Sequence, residues 1–261
     1  MIVIAVIVVV IIGLVCAVML SVASKFMAVE VDERVPLVRE CLPGANCGGC
    51  GYPGCDGYAA ALVEDPDLPL TLCPPGGAAV VEKLSAVLGR SGGEIEAKVA
   101  HVRCGGVCGA TNAKMDYQGI SSCSAAKLLF GGTGKCVYGC MGLGDCAAVC
   151  PSDAVCIENG IAHIDARSCT GCAACVKACP SGIIELVPAA AKVTVDCSSR
   201  EKGAATRKNC TAGCIGCKLC EKNCPQGAIT VVDNLASIDY DKCDGCGKCA
   251  SVCKPGCIIA G

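Results

Sequence analysis

The chain has 261 residues, of which 29 are cysteine and none is tryptophan, and its formal net charge is −2. A small secreted domain held by disulfides can be as rich in cysteine, but such domains are short and pair all their cysteines, which an odd number prevents. No stripe of basic and aromatic residues is present, so we expect no nucleic-acid partner. With only two Phe and five Tyr, apolar packing is thin, and metal binding is the expected substitute.

The first predicted element is a transmembrane anchor over residues 1–24. Met1 to Ser24 carries no charged side chain, and about 20 apolar residues suffice for a spanning helix. A cleaved signal peptide would need a basic start and a small-residue cleavage site, and both are missing. Lys25, Arg34 and Arg39 favour a cytoplasmic location for the rest of the chain. We therefore expect a single-pass protein of the cell (inner) membrane that contacts the lipid bilayer, with its metal-binding domains on the cytoplasmic side.

A short acidic linker, residues 25–40, leads to a four-cysteine module at residues 41–77. The module has the pattern Cys47-x2-Cys50-x4-Cys55-x17-Cys73-Pro74. Its first three cysteines lie in a glycine-rich turn, whose exposed N–H groups suit an anionic cluster with thiolate ligands. We therefore predict a [4Fe–4S] site here; a zinc knuckle is the alternative that the spacing leaves open. Cys41 stands outside the pattern and is expected to be a free thiol.

Residues 78–122 form a connecting segment, and a repeat of 74 residues begins after it. Shifting the sequence by this length superposes nine cysteines without a gap. Repeats of this kind mark duplicated structural units, and we place the units at residues 123–196 and 197–261. The superposed pairs are Cys123 and Cys197, Cys136 and Cys210, Cys140 and Cys214, Cys146 and Cys220, Cys150 and Cys224, Cys169 and Cys243, Cys172 and Cys246, Cys175 and Cys249, and Cys179 and Cys253.

Each unit contains ligand runs of the bacterial ferredoxin type. In such a run three close thiolates hold one [4Fe–4S] cube, and the fourth reaches the neighbouring cube. Two tandem two-cluster ferredoxin-like domains of α+β class are therefore predicted, in which short helices alternate with two-stranded hairpins. The complete runs are Cys169-x2-Cys172-x2-Cys175-x3-Cys179, Cys214-x2-Cys217-x2-Cys220-x3-Cys224 and Cys243-x2-Cys246-x2-Cys249-x3-Cys253.

This exchange of the fourth ligand assigns the cubes. In unit 1 one cube takes Cys150, Cys169, Cys172 and Cys175, and the other takes Cys136, Cys140, Cys146 and Cys179. In unit 2 one cube takes Cys214, Cys217, Cys220 and Cys253, and the other takes Cys224, Cys243, Cys246 and Cys249. With the four-cysteine module, these sets predict five [4Fe–4S] clusters. No catalytic residue is predicted.

The assignment of Cys136 is one of three alternatives, because Leu143 stands where unit 2 has Cys217. Cys136 substitutes for the missing ligand in the first alternative. A three-iron cluster on Cys140, Cys146 and Cys179 is the second. The third is a sixth cluster from Cys104, Cys108, Cys123 and Cys136, with the first site of unit 1 rearranged. Cys197 and Cys210 have no assigned role, because two thiols alone cannot make a four-ligand site.

Several motifs resemble the B subunit of the Rnf complex. They are the apolar N-terminus, the segments Leu42 to Tyr58 and Cys73-Pro74-Pro75-Gly76-Gly77, and Tyr138 to Cys146. The resemblance covers the whole chain and implies the long form with two ferredoxin-like units. It also implies a role in an ion-translocating ferredoxin:NAD oxidoreductase that pumps Na⁺ or H⁺. The implied partners are the other membrane and flavin or iron–sulfur subunits and a soluble ferredoxin as electron donor.

The main functional prediction is therefore a membrane-anchored electron-transfer subunit that takes electrons from reduced ferredoxin and relays them within the complex. The alternative is a membrane-anchored electron donor that keeps a redox-sensing regulator reduced without pumping ions. A zinc scaffold without redox activity is a third interpretation, which the ferredoxin spacing of the runs disfavours.

Overall fold

The structure is a computed structural model that describes residues 2–26, 32–93, 96–129 and 131–261. Parts of the predicted linker, connecting segment and unit 1 thus lie outside the described residues. The helices are α1 (Ile2–Phe26), α2 (Arg34–Cys41), α3 (Cys55–Glu64), α4 (Gly77–Leu88), α5 (Cys123–Leu128), α6 (Asp145–Ala148), α7 (Ala174–Ala178), α8 (Gly203–Asn209), α9 (Leu219–Asn223) and α10 (Lys248–Ser251). The strands are β1 (Lys98–Val102), β2 (Val155–Glu158), β3 (Ile161–Ile164), β4 (Ile184–Pro188), β5 (Val193–Val195), β6 (Ile229–Val232), β7 (Leu235–Ile238) and β8 (Ile258–Ala260).

The N-terminal residues form one helix, α1. Over the described part of the chain, we find no helix with both the length and the apolar character that crossing a membrane requires. The prediction of a transmembrane helix is therefore not supported by the structure.

The four-cysteine module is a small helical domain made of α2, α3 and α4. Its apolar core includes Val38, Tyr58, Leu62 and Leu84, each almost completely buried. The hydroxyl of Tyr58 donates a hydrogen bond to the carbonyl of Pro69 over 2.9 Å. This bond fixes the loop between α3 and α4 to the core at Pro69. Cys73, near the end of the same loop, therefore lies close to the first three cysteines of the module.

The two ferredoxin-like units have the same strand pairing. In unit 1, β2 pairs with β3 and β1 with β4; in unit 2, β6 pairs with β7 and β5 with β8, and all four pairs are antiparallel. The inner hairpins turn at Asn159-Gly160 and Asp233-Asn234, where every residue has a positive φ. Such two-residue turns favour Asn, Asp and Gly because these residues tolerate that conformation. The inner hairpins and the strands β4 and β8 keep the 74-residue spacing of the repeat, whereas β1 and β5 do not.

One strand of unit 1 lies in the segment that was predicted to be a connection. β1 pairs with β4 along its whole length, from Lys98 opposite Pro188 to Val102 opposite Ile184. Ala100 and Val102 of this strand are buried in the same core as Cys146 and Cys175. Unit 1 thus includes β1, which lies before its predicted start at residue 123. Unit 2 likewise includes β5, at residues 193–195, which lies before its predicted start at residue 197.

Direct contacts join the three parts of the chain. The Lys177 ammonium of unit 1 donates to the carbonyl of Gly48 in the module over 3.1 Å. Between the units, His101 Nε2 lies 2.9 Å from an oxygen of Asp196. The amide of Thr211 donates to the carbonyl of Ala110 over 2.8 Å. The module therefore packs on unit 1, and unit 1 packs on unit 2.

Candidate iron–sulfur sites

The four cysteines of the module lie close to one another. Burial raises the pKa of the Cys73 thiol, and the nearby thiols of Cys55, Cys50 and Cys47 raise it further. The backbone N–H of Cys55 donates to the side-chain oxygen of Asn46 over 2.8 Å, which fixes the start of α3. Cys41 donates to the carbonyl of Leu37 in its own helix. The structure thus brings together the predicted ligands Cys47, Cys50, Cys55 and Cys73.

In unit 2, both predicted ligand sets line cavities of similar size. One cavity, of about 310 Å³, is lined by Cys214, Cys217, Cys220 and Cys253. The other, of about 320 Å³, is lined by Cys224, Cys243, Cys246 and Cys249. Burial raises the pKa of Cys220 to about 11, and the thiols of Cys214, Cys217 and Cys253 contribute to the rise. In each cavity three of the lining cysteines come from one run and the fourth comes from the other run.

Two further cysteines, Cys156 and Cys257, lie outside the predicted ligand sets. Cys257 is buried, and its sulfur lies 3.5 Å from that of Cys253, so it stands beside a candidate cluster. Cys156 is exposed on β2.

The second ligand set of unit 1 collects around α7. Burial raises the pKa of Cys175 to about 11, with further contributions from Cys169 and Cys172. Cys150 packs against the same buried cluster as Cys169 and Cys175. Its sulfur accepts the backbone N–H of Ala154 over 3.3 Å, and the Cys169 sulfur accepts that of Ala100 over 3.4 Å.

The first site of unit 1 differs from the prediction. A cavity of about 330 Å³ is lined by Cys123, Cys140, Cys146 and Cys179. Cys136 is not among its lining residues, so the structure does not bring it to the place of the missing ligand. Burial and the thiols of Cys140, Cys123 and Cys179 together raise the pKa of Cys146 to about 12. Cys123, at the start of α5, is therefore the fourth cysteine at this cavity.

Asp145 holds Cys123 at this cavity. One carboxylate oxygen accepts the backbone N–H of Cys123 over 2.9 Å, and the other accepts that of Ser124 over 2.9 Å. Burial opposes the charge of Asp145, but these hydrogen bonds outweigh it and lower the pKa of the carboxyl. The carboxylate thus caps the N-terminus of α5 and fixes Cys123 beside Cys146, the neighbour of Asp145 in the chain.

The predicted sixth ligand set is split by the fold. Cys123 lines the cavity just described, Cys108 is exposed, and Cys104 and Cys136 line a different cavity together with Cys197 and Cys210. No local pattern in the sequence marks Cys123 as a member of this site, because it reaches the cavity only through the packing of α5 against Asp145.

The candidate ligands surround cavities and do not converge on a point. Among residues 2–26, 32–93, 96–129 and 131–261, no group of three or more His, Cys, Asp or Glu side chains is spaced to hold a metal ion. In a [4Fe–4S] cube each thiolate binds a different iron, so its ligands stand around the cube. Four thiols around one cavity are the donor set that such a cube takes.

Comparison with protein families finds the same types of domain. Residues 42–75 match the FeS family, which is described as an Fe-S cluster family. Residues 168–229 and 213–257 each match a family described as a 4Fe-4S dicluster domain. The prediction of iron–sulfur and dicluster ferredoxin-like domains of mixed α and β structure is confirmed.

Curated relatives match almost the whole chain. The B subunit of the Na⁺-translocating ferredoxin:NAD⁺ oxidoreductase complex of Acetobacterium woodii is 45% identical over 94% of this chain and 74% of the relative. The B subunit of the proton-translocating ferredoxin:NAD⁺ oxidoreductase complex of Clostridium ljungdahlii is also 45% identical, over 96% of this chain and 89% of the relative. The B subunit of the ion-translocating oxidoreductase complex of Methanosarcina acetivorans is 39% identical over 92% and 91%. The chain therefore belongs to the family formed by the B subunits of Rnf complexes, the ion-translocating ferredoxin:NAD⁺ oxidoreductases.

Proposed function

We propose that this subunit accepts electrons from a reduced soluble ferredoxin and relays them to the other subunits of an ion-translocating ferredoxin:NAD⁺ oxidoreductase complex. The observation that carries the proposal is the arrangement of the candidate cluster sites. Groups of cysteine thiols occur in the module, in unit 1 and in unit 2, and these three parts of the chain are in contact with one another. Family membership supports the electron-transfer role. The names of these relatives give no support to the alternative, an electron donor to a regulator.

Five [4Fe–4S] clusters account for twenty of the cysteines. A [4Fe–4S] cluster, when bound, takes up and releases single electrons. We assign Cys123, in place of Cys136, to the first site of unit 1. The sets are Cys47, Cys50, Cys55 and Cys73; Cys123, Cys140, Cys146 and Cys179; Cys150, Cys169, Cys172 and Cys175; Cys214, Cys217, Cys220 and Cys253; and Cys224, Cys243, Cys246 and Cys249.

The module and unit 1 meet at their ligand turns. A side-chain carbon at Gly49, between two ligands of the module, would lie 2.8 Å from the carbonyl oxygen of Cys172 and 3.5 Å from the sulfur of Cys47. Glycine at this position therefore allows the two ligand turns to touch. This close approach supports electron transfer between the module and unit 1.

Unit 2 is the end that suits a ferredoxin. Cys217 and Cys246 are exposed, so both of its candidate clusters come near the surface. Lys218, Lys222 and Lys248 are exposed on the same ligand turns and helices. Exposed cations beside an electron-entry site steer acidic partners, and their effect weakens as salt screens it.

The test is the rate at which reduced ferredoxin bleaches the visible iron–sulfur absorbance of the anaerobically purified chain. In the variant Lys218→Glu/Lys222→Glu/Lys248→Glu we expect the rate at low salt to fall about tenfold or more, with little difference at high salt. Lys83→Glu, on the exposed face of α4 in the module, is the control and should leave the rate unchanged. A wild-type chain that ferredoxin does not reduce would contradict the proposal.

We also propose that the subunit works at the cytoplasmic face of the cell membrane. Large apolar side chains along α1 are exposed, among them Ile4, Leu14 and Leu20 at 68%, 61% and 72%. Such a surface needs an apolar neighbour, either lipid or the membrane subunits. Cell fractionation tests this: the full chain should sediment with membranes, and a chain lacking residues 2–26 should not. A full chain recovered only in the soluble fraction would overturn it.

A further inference from the structure

A cavity of about 300 Å³ lies between the two ferredoxin-like units and is lined by four cysteines without an assigned ligand role. Unit 1 contributes Cys104 and Cys136, and unit 2 contributes Cys197 and Cys210. Cys197 is buried and the other three are partly buried. Neither pair could complete a four-ligand site by itself, but the packing of the units brings the two pairs together.

Two glycines keep space free beside the sulfurs. A side-chain carbon at Gly106 would lie 3.3 Å from the sulfur of Cys104 and 3.8 Å from that of Cys210. A carbon at Gly139 would lie 3.8 Å from the sulfur of Cys136. Both glycines line the cavity. The sulfurs of Cys104 and Cys210, from different units, are therefore near neighbours.

Backbone amides point at two of these sulfurs. The Cys104 sulfur accepts the N–H groups of Gly106 and Cys140, each over 3.4 Å. The Cys197 sulfur accepts the N–H groups of Ser199 over 3.4 Å and Cys214 over 3.2 Å. Amide donors favour the charged form of a thiolate and tune the clusters that thiolates hold. Two N–H donors on each sulfur are more than a neutral buried thiol requires to satisfy its hydrogen bonding.

One of the residues that line the cavity carries a largely buried cation. Arg103 lines it, and the side chain is only 17% exposed. One guanidinium nitrogen pairs with Glu185 over 3.1 Å and another donates to the carbonyl of Ala236. Nε of Arg103 is buried and has no hydrogen-bond partner among the residues that the structure describes. A buried cation with an unused donor suits an anionic group nearby.

The four thiols follow the duplication of the chain. Cys136 and Cys210 are 74 residues apart, as the repeat requires. Cys104 follows the end of β1 by two residues, and Cys197 follows the end of β5 by two. Since β1 pairs with β4 and β5 with β8, these two cysteines occupy equivalent positions in their units. Each unit thus supplies the same two ligands, and the unit interface makes a complete set.

We propose that Cys104, Cys136, Cys197 and Cys210 hold a sixth [4Fe–4S] cluster that bridges the two units. Four thiols line this cavity, as they do the cavities at three of the other candidate cubes, and four thiolates are the ligand set of a cube. The inference extends the proposed function to the passage of electrons between units and rests on it for that role.

The position of the site explains what it would do. The amide that donates to Cys104 belongs to Cys140, a ligand of the first site of unit 1. The amide that donates to Cys197 belongs to Cys214, a ligand of the first site of unit 2. The sixth site therefore touches one candidate cluster of each unit and joins the two halves of the electron path.

Iron, sulfide and zinc content of the anaerobically purified full chain tests the site. We expect about 24 iron atoms per wild-type chain, four for each of six cubes, and about 20 in Cys136→Ser/Cys210→Ser. Cys108→Ser and Cys156→Ser, both at exposed cysteines away from this cavity, are matched controls and should keep the wild-type content. About 20 iron atoms in both the wild type and the double variant would overturn the proposal. One zinc per wild-type chain that the double variant loses would overturn it as well.

A second measurement, on a single variant, tests the site if the double variant fails to fold. The single variant Cys210→Ser removes one ligand, and we expect its oxidised form to show the isotropic EPR signal of a three-iron cluster, which wild type lacks. No change in iron content or EPR signal would count against the site. The proposed function is read separately, because ferredoxin should still bleach the unit 2 clusters of Cys136→Ser/Cys210→Ser while the remaining clusters respond more slowly.

Discussion

At the scale of single residues, the leucine at position 143 explains how the cysteine pattern of unit 1 differs from that of unit 2. Leu143 removes a ligand from the first run, and Cys123 lines the cavity with the three cysteines that remain. Because Asp145 caps the N-terminus of α5, the replacement ligand is held by a carboxylate that lies directly before Cys146 in the chain. In unit 2, Cys217 lines the corresponding cavity, so no replacement is needed there.

The variant Cys123→Ser tests this assignment. We expect it to lose about four iron atoms per chain, or to convert one cube to a three-iron cluster with an isotropic EPR signal when oxidised. The control is Cys41→Ser, since the Cys41 sulfur hydrogen-bonds within α2. Wild-type iron content and an unchanged spectrum in Cys123→Ser would show that another residue completes the site.

The sequence could predict ligands that are close along the chain, and it could not predict this one. Cys136 is four residues from Cys140 and was therefore the nearest candidate, whereas Cys123 reaches the site only through the fold of α5 against Asp145. For the same reason, the sequence could not predict that Cys104 and Cys136 lie beside Cys197 and Cys210. These two pairs meet only where the units pack. The runs in unit 2 needed no such information, since their spacing and the exchange rule define both sets.

At the scale of elements, the strand pairs were predictable where the turn is short. The hairpin of β2 and β3 and that of β6 and β7 follow from alternating apolar residues around a two-residue turn. β1 was missed because its partner β4 is remote along the chain, so no local turn indicates the pair. A strand whose partner is remote in sequence is set by tertiary packing.

The contact between a ligand turn and a hairpin turn gives a prediction at this scale. Gly142 has a φ of 68°, and a side-chain carbon there would lie 2.4 Å from the carbonyl oxygen of Gly160. Gly182 has a similar φ of 61° but open space around it. Gly182→Ala should cost about 1 kcal/mol for the backbone conformation alone. Gly142→Ala should cost about 2 kcal/mol more, because the hairpin must also move.

The measurement is the temperature at which each anaerobic variant loses its visible iron–sulfur absorbance. Gly182→Ala serves as the matched control, since the two positions share the strained conformation and differ in the contact. Equal losses of thermal stability in the two variants would contradict the role of the contact.

At the scale of the whole molecule, the module and the units are stabilised in different ways. The core of the module has eleven buried residues, of which only Cys73 is a cysteine. The core of unit 2 has twelve, of which five are cysteines: Cys197, Cys214, Cys220, Cys249 and Cys257. Apolar burial therefore supports the module, whereas unit 2 depends on whatever its thiols bind. Metal-binding free energy is folding free energy when the site does not exist in the unfolded chain.

Removal of the clusters should therefore unfold the chain unevenly. After oxidation and chelation of the iron, we expect amide hydrogens in β6 and β7 to exchange at rates close to those of an unfolded chain. Amides in α3 and α4 should keep much of their protection, because Tyr58, Leu62 and Leu84 still pack together. Hydrogen exchange read by mass spectrometry, on the same sample before and after chelation, makes the comparison within one chain. Simultaneous loss of protection in the module and unit 2 would mean that the module's helices also need their cluster, and that their apolar core is too small to hold them alone.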